Sequence, residues 1–415
     1  MKNVSKMRHK SIILLNKRYI IMTLLCAMAS LYFISPANVD GGFTISSYLV
    51  LLISILMLIQ APSLIVEILF KDRYILAYIY PVYLIFCLYS HRTTGITVIN
   101  AFIFTTIPII YLLLKKKKLT EEIDFISRIN ILYILSVATF TIIQLAKNPM
   151  LCRMLAGAGN WETLNTIELL MTAGFDFTYA LVLIFPILFS QAISKKKMAY
   201  ILIAIICGYM IFRALYTFAL LMGMIGMLLV IYMPIIADKK NLLLLLFFVT
   251  VMIIISFNLD DILGAIQGIF GQSSQVGTNI GYLRLYLAND ETVNTISRFS
   301  VYQVSIDTWL RNFWTGIGYD GTYNSFGMRG IGGHSTIFDM LAYYGMSGLI
   351  CFVVTIFITA KKIYKMLPRK RYLFITSILL YSTELVVNPC YTLTICSTVF
   401  LIVPMMITYF YTVQE

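Results

Sequence analysis

The chain alternates between long, unbroken apolar runs and short polar or charged interruptions. The runs fall at 19–36, 44–69, 74–90, 96–114, 124–146, 167–193, 198–212, 214–236, 241–257, 336–360, 372–388 and 391–411. A helix needs roughly 17–25 apolar residues to cross a bilayer, and runs of about that length recur throughout. The apolar residues are continuous, not alternating, so the pattern predicts helices and disfavours a membrane β-barrel. The expected fold is an all-α, polytopic helical membrane protein with about twelve transmembrane helices. Arg213 is the only interruption in Ala199–Ile236, and the stretch is divided there into two spans.

The spans divide unevenly. Residues 1–257 hold about nine and residues 336–415 about three, with one long polar stretch at 258–335 between them. Within that stretch, Ile296, Phe299, Tyr302, Ile306, Leu310 and Phe313 recur at helical spacing. They predict an amphipathic helix on the face of the bundle or in the lipid interface. The following "TGIGYDGTYNSFGMRGIGGH" is glycine-rich and reads as irregular. Loops of this length are usually functional or disordered, and the aromatic content argues against plain disorder.

Composition agrees: 60% of residues are hydrophobic and 12% charged. A soluble domain could not cover its surface with so few polar groups. The net charge of +13 does not signal nucleic acid. Its lysines and arginines lie in short clusters between apolar runs, where they act as topology signals. The basic tail, with Lys2, Lys6, Arg8, Lys10, Lys17 and Arg18, is expected in the cytoplasm. Counting spans from there puts Lys71–Arg73, Lys115–Lys118, Lys195–Lys197, Lys239–Lys240 and Lys361–Arg371 on the same side. The long loop then faces outward from the cytoplasmic membrane. No small-x-small cleavage site precedes Asp40, so the first helix is expected to be uncleaved. Seven scattered cysteines form no C-x-x-C pair, and neither a metal site nor a cofactor is expected.

A few polar residues stand out. Arg213 either snorkels between helices or faces a polar cavity. Arg284, Arg298, Arg311 and Arg329 are further cations on the outward side, and guanidinium groups suit phosphate. Arg298 reads equally as an ordinary solvated arginine. His334 follows glycines at 327, 330, 332 and 333, directly before an apolar run. It can accept a proton near neutral pH, or serve only as an interfacial or capping residue. Ser335 or Thr336 is expected to cap the next helix, with Asp339 in its first turn. Asp176 and Glu384 lie near outer helix ends, where carboxyl groups either line a cavity or pair with cations.

Three segments together resemble the O-antigen ligase and polymerase superfamily of membrane glycosyltransferases (Wzy/WaaL type). "FRALYTFALLMGMIGMLL" (Phe212–Leu229) is similar to the family's arginine at an outer helix start. "SRFSVYQVSIDTWLRNFWTGIGYDG" (Ser297–Gly321) is similar to its arginine, amphipathic helix and glycine pair, with Trp314 where a proline is common. "GGHSTIFDMLAYYGMSGLI" (Gly332–Ile350) is similar to its histidine block, with Gly345 and Gly348 in register. The resemblance spans Arg213 to Ile350, and the histidine block is its most specific part. It implies a GT-C-like bundle and metal-independent, inverting transfer of glycans carried on undecaprenyl diphosphate, most like a repeat-unit polymerase. It implies that Arg213 and Arg298 bind diphosphate and that His334 is the base or a further phosphate contact. Arg284, Arg329, Asp176 and Glu384 are then candidate substrate contacts. Lipid-linked oligosaccharides serve as donor and acceptor, with a flippase and a chain-length regulator as accompanying proteins. A ligase acting on another acceptor, and a lipid-linked oligosaccharide flippase, are the alternatives. Polar groups collected at outer helix ends disfavour the flippase, which needs them through the bilayer depth.

Overall fold

The computed structural model describes residues 19–35, 42–149, 151–156, 171–237, 259–271, 273–274, 276–278, 280–281, 284, 298–318, 331–367 and 370–412. Arg329, the basic tail, Lys239–Lys240 and the run at 241–257 lie outside them, and of Arg298 only the backbone is described. The described residues are helical, with no strand among them. In chain order the helices are α1 (Ile20–Phe33), α2 (Gly42–Gln60), α3 (Pro62–Lys71), α4 (Tyr74–Tyr89), α5 (Gly95–Lys116), α6 (Thr120–Lys147) and α7 (Leu151–Ala156). There follow α8 (Phe175–Lys195), α9 (Met198–Arg213), α10 (Thr217–Ala237), α11 (Leu259–Phe270), α12 (Arg298–Arg311), α13 (Thr336–Met366), α14 (Tyr372–Val387) and α15 (Leu393–Tyr411).

Among these, six helices are long and apolar enough to cross a membrane, or seven if α2 and α3 count as one broken span. Four shorter apolar helices, α1, α4, α9 and α14, accompany them. The run at 44–69, expected to be one span, bends by 109° between Gln60 and Pro62. Proline lacks the N–H that would continue the helix, and it disfavours helical geometry in the residue before it. Ala61 accordingly leaves the helical region (φ −147°, ψ 51°), and Pro62 starts the next helix. The division at Arg213 agrees with the structure: α9 ends there and α10 begins at Thr217.

The bundle is layered around α15 and α8, whose span windows are 89% and 78% buried, against 28% for α10. Outer helices expose large apolar side chains such as Phe86, Ile205 and Phe357. A helical bundle covered in this way needs lipid around it. Without a hydrophobic drive between helices in lipid, contact relies on small residues and interhelical hydrogen bonds. Gly226 on α10 shows the first device. A methyl group there would stand 3.0 Å from Pro186 on α8 and 3.1 Å from Leu380 on α14. Ser377 on α14 shows the second, donating to the Leu183 carbonyl of α8 at 2.8 Å.

The lysine clusters meet at one end. Lys116 pairs with Glu67 at 2.8 Å and Asp72 at 2.6 Å, and Lys362 donates to the Asp72 carbonyl. Lys370 donates to Ser194 at 2.9 Å and stands over the Tyr411 ring. Burial, reinforced by nearby Lys195, lowers the Lys370 ammonium below the usual lysine range. Four of the clusters are thus joined at a single end, as the charge pattern requires. No disulfide joins any of the seven cysteines, and all but Cys351 are buried.

Candidate functional site

The end of the bundle away from the lysines carries His334, and the chain holds it in place from both sides. Ser335 is the N-cap of α13: its backbone is extended, and its hydroxyl accepts the Phe338 amide at 3.2 Å. Asp339, in the first turn, folds back over the cap. It accepts the Ser335 and Gly333 amides, each at 3.2 Å, and the Ser305 hydroxyl of α12 at 2.7 Å. Ser305 in turn accepts the Gly332 amide at 2.8 Å. One serine and one carboxylate therefore collect the amides that a glycine-rich segment would otherwise leave unpaired. Gly333 adopts a positive φ of 72°. Any Cβ at Gly332 would overlap the Val301 carbonyl, so glycine lets the segment lie directly on α12. Between these clamped residues the His334 side chain stays exposed, within electrostatic reach of Asp339.

The end of α14 closes the other side. The Asn388 carbonyl accepts both the amide and the hydroxyl of Thr336, each at 3.2 Å. Tyr302 of α12 donates to the Val387 carbonyl at 2.6 Å. Helix α12 thus bridges α13 and α14 through Ser305 and Tyr302. Glu384, one turn inside that helix end, is fully buried, and neither carboxyl oxygen has a hydrogen-bond partner among the described residues. Asp176 lies in the first turn of α8, half-buried, with Thr392 hydrogen-bonded to its carboxyl group. The helices α8 and α14 run in opposite directions and meet at Leu183 and Ser377. Counting back from Leu183 to Asp176 and forward from Ser377 to Glu384 covers the same number of residues. The two carboxyl groups therefore share one depth.

Below the cap, α13 is broken at Gly345, whose φ of 65° and ψ of −167° lie outside the helical region. The break frees backbone groups on both sides, and the segment after α12 takes them up. Met346 and Ser347 donate to the carbonyls of Phe313 and Trp314 at 2.8 and 3.2 Å. Ile317 and Gly318 donate to the carbonyls of Ala342 and Tyr343 at 2.9 and 2.8 Å. Arg92, in the turn after α4, donates through one nitrogen to the carbonyls of Thr315 at 2.6 Å and Gly316 at 2.5 Å. Gly316 also has a positive φ, and a Cβ there would lie 2.5 Å from the Ala342 carbonyl oxygen. Gly316 and Gly345 therefore each lie against the backbone of the other's segment.

The candidate arginines make contacts of their own. Arg213 closes α9 and donates to the Leu145 carbonyl of α6 at 3.0 Å. Leu215, two residues on, packs on Leu263, Val276 and Ile280. Arg284 joins the same neighbourhood, donating to Gln267 of α11 at 3.1 Å with its guanidinium against Gly264. Arg298 is the first residue of α12, one turn before Tyr302 and two before Ser305. The structure thus joins His334 with Asp339, Ser305, Tyr302 and the end of α14, and places Arg213 near Arg284. Sequence reading passed over Ser305, Tyr302 as a donor, and Arg92. Only the helical spacing of Tyr302 on α12 pointed toward any of them.

This architecture is that of a multi-pass helical membrane protein. No family model, curated protein or solved structure matches the chain.

Proposed function

We propose that the protein is a membrane glycosyltransferase that polymerises oligosaccharide repeat units carried on undecaprenyl diphosphate. The observation that carries the reading is the His334 junction. An imidazole is held exposed on a rigid backbone, at the bundle end opposite the lysine clusters, in the sequence block most similar to the polymerase and ligase superfamily. With the lysine end in the cytoplasm, this end faces outward, on a GT-C-like bundle of about twelve spans.

In the proposed reaction an acceptor sugar hydroxyl attacks the anomeric carbon of the donor glycan. The bond from that carbon to the diphosphate oxygen breaks, and undecaprenyl diphosphate leaves with the bonding pair. His334 takes the hydroxyl proton, or contacts the diphosphate. Arg213 and Arg298 hold the leaving diphosphate, whose developing charge fixed cations stabilise. Arg284, Arg329, Asp176 and Glu384 are further candidate substrate contacts.

The test uses purified protein in liposomes with a lipid-linked repeat unit and no other acceptor. Longer lipid-linked chains support a polymerase; transport across the vesicle without lengthening would point to a flippase. His334→Ala, Arg213→Ala and Arg298→Ala should each lose the lengthening at equal protein level. Arg298→Lys should also fall short, because the two-pronged guanidinium contact is lost. Normal chains from His334→Ala would remove that residue from the mechanism.

A further inference from the structure

The spacing of apolar residues on α12 puts Tyr302, Ile306, Leu310 and Phe313 on one face, expected against the bundle or in the lipid interface. The structure divides them. Among the described side chains of α12 only Ser305 is buried, whereas Leu310 is 59% exposed and Trp314, just past the helix, 64%. Phe313 and Ile317 are exposed as well. The aromatic rings are ordered against one another: Trp309 stacks on Phe313, and Phe313 meets Trp314 edge to face, both at 5.1 Å between centroids.

The backbone beneath these side chains has the opposite character. The carbonyls of Phe313, Trp314, Thr315 and Gly316 accept donors from within the protein, and the Gly316, Ile317 and Gly318 amides donate to carbonyls of Asn312, Ala342 and Tyr343. These bonds hold the row of exposed apolar side chains on a fixed backbone. The headgroup boundary, unlike the hydrocarbon core, supplies partners to the polar groups that remain.

The patch also continues a surface already bound for lipid. Arg92 ties Thr315 and Gly316 to the turn that follows α4. The end of α4 exposes Phe86 at 69% and Tyr89 at 89%. Polar neighbours set the depth: His91, Arg311 and Asn312 are exposed beside the apolar side chains. Tryptophan and tyrosine with apolar and basic neighbours are the composition of the membrane–water boundary.

We propose that Leu310, Phe313, Trp314 and Ile317 form a wedge seated in the headgroup boundary of the bilayer. This part of the long loop is then a lipid-contact surface and not a solvent-exposed connection. The contact does not depend on glycan transfer. It fixes α12 against the membrane, and through the backbone bonds at Gly345 it fixes the half of α13 that carries the Ser335 cap.

The chain has three tryptophans, at 161, 309 and 314. Trp161→Phe and Trp309→Phe together leave Trp314 as the sole reporter, and the second keeps a ring against Phe313. The protein is placed in nanodiscs of ordinary or brominated phospholipid, and iodide is added from the aqueous side. Lipid brominated near the headgroup should quench Trp314 at least about twofold, more than lipid brominated near the chain end, while iodide has little effect. Strong iodide quenching with none from bromolipid would put the segment in water. Quenching by neither would mean that protein, such as a second copy, covers the patch. Either result overturns the proposal.

Discussion

The Ser305 hydroxyl donates to the Asp339 carboxylate at 2.7 Å across 34 residues of sequence, and so ties the amphipathic helix of the long loop to the first turn of the helix after His334. Asp339 is the hub, because it also holds two amides of the glycine segment. Removing it strands three donors. Asp339→Ala should lower stability by about 2–4 kcal/mol, since hydrogen bonds to a charged group are worth about 1.5–3 kcal/mol each and the stranded groups are partly buried. Asp339→Asn, which keeps one carbonyl acceptor, should lose less. Thermal unfolding in detergent measures both, with a thiol dye reporting exposure of the buried cysteines. An unchanged midpoint for the alanine variant would show that the hub carries little.

Gly316 and Gly345 should each resist any side chain. Both have positive φ, and a Cβ at either would press into the backbone of the other's segment. Gly316→Ala and Gly345→Ala are each expected to cost about 1–3 kcal/mol from strained dihedrals alone, and more from overlap. Gly268 on α11 supplies the contrast, as nothing lies within 4 Å of a Cβ built there. Gly268→Ala should be neutral or stabilise by up to ~1 kcal/mol. The same dye assay ranks the three variants, and equal midpoints would contradict the close backbone contact.

Arg92 acts on the loop from 223 residues away, holding two carbonyls that its own α4 turn does not need. Arg92→Ala should free residues 312–318 locally without unfolding the bundle. Limited trypsin digestion should then cut faster after Arg311, while the global midpoint moves little. A cutting rate equal to that of the parent protein would refute the tether.

Glu384 presents the reverse situation, a fully buried carboxyl group with no hydrogen-bond partner among the described residues. Burying such a group opposes folding. Glu384→Leu, of similar size, should leave the midpoint unchanged or raise stability by about 1 kcal/mol. A large fall would mean that a bound ligand or cation occupies the carboxyl group in the native protein. Activity measured alongside separates a stability burden retained for function from one without use.

Much of the bundle was legible in the sequence because transmembrane helices are locally determined. Each pairs its own backbone groups, so an apolar run of sufficient length reports a helix without reference to its neighbours. The split at Arg213, the Ser335 cap and the amphipathic helix from Arg298 all follow from patterns within a few residues. The bend at Ala61–Pro62 has an equally local cause in the proline, but the run at 44–69 reads as one span. The charge pattern anticipated that the lysine clusters share an end, and Lys116, Lys362 and Lys370 realise it through named contacts.

What stayed hidden was non-local. The sequence marked His334 by its glycines, and it marked two glycine motifs. It contained no sign that Gly316 would lie against the break at Gly345, that Ser305 would reach Asp339, or that Arg92 would hold the segment between. Hydrogen bonds between distant residues depend on where whole helices come to rest, and no periodicity encodes that. Arg213 shows the same division: its place at a helix end was readable, but its bond to the Leu145 carbonyl required α6 alongside. The sequence by itself determined a membrane-spanning helical bundle and the end at which its lysine clusters gather. Tertiary packing alone decided which polar groups touch, because each contact joins segments that only the assembled bundle brings together.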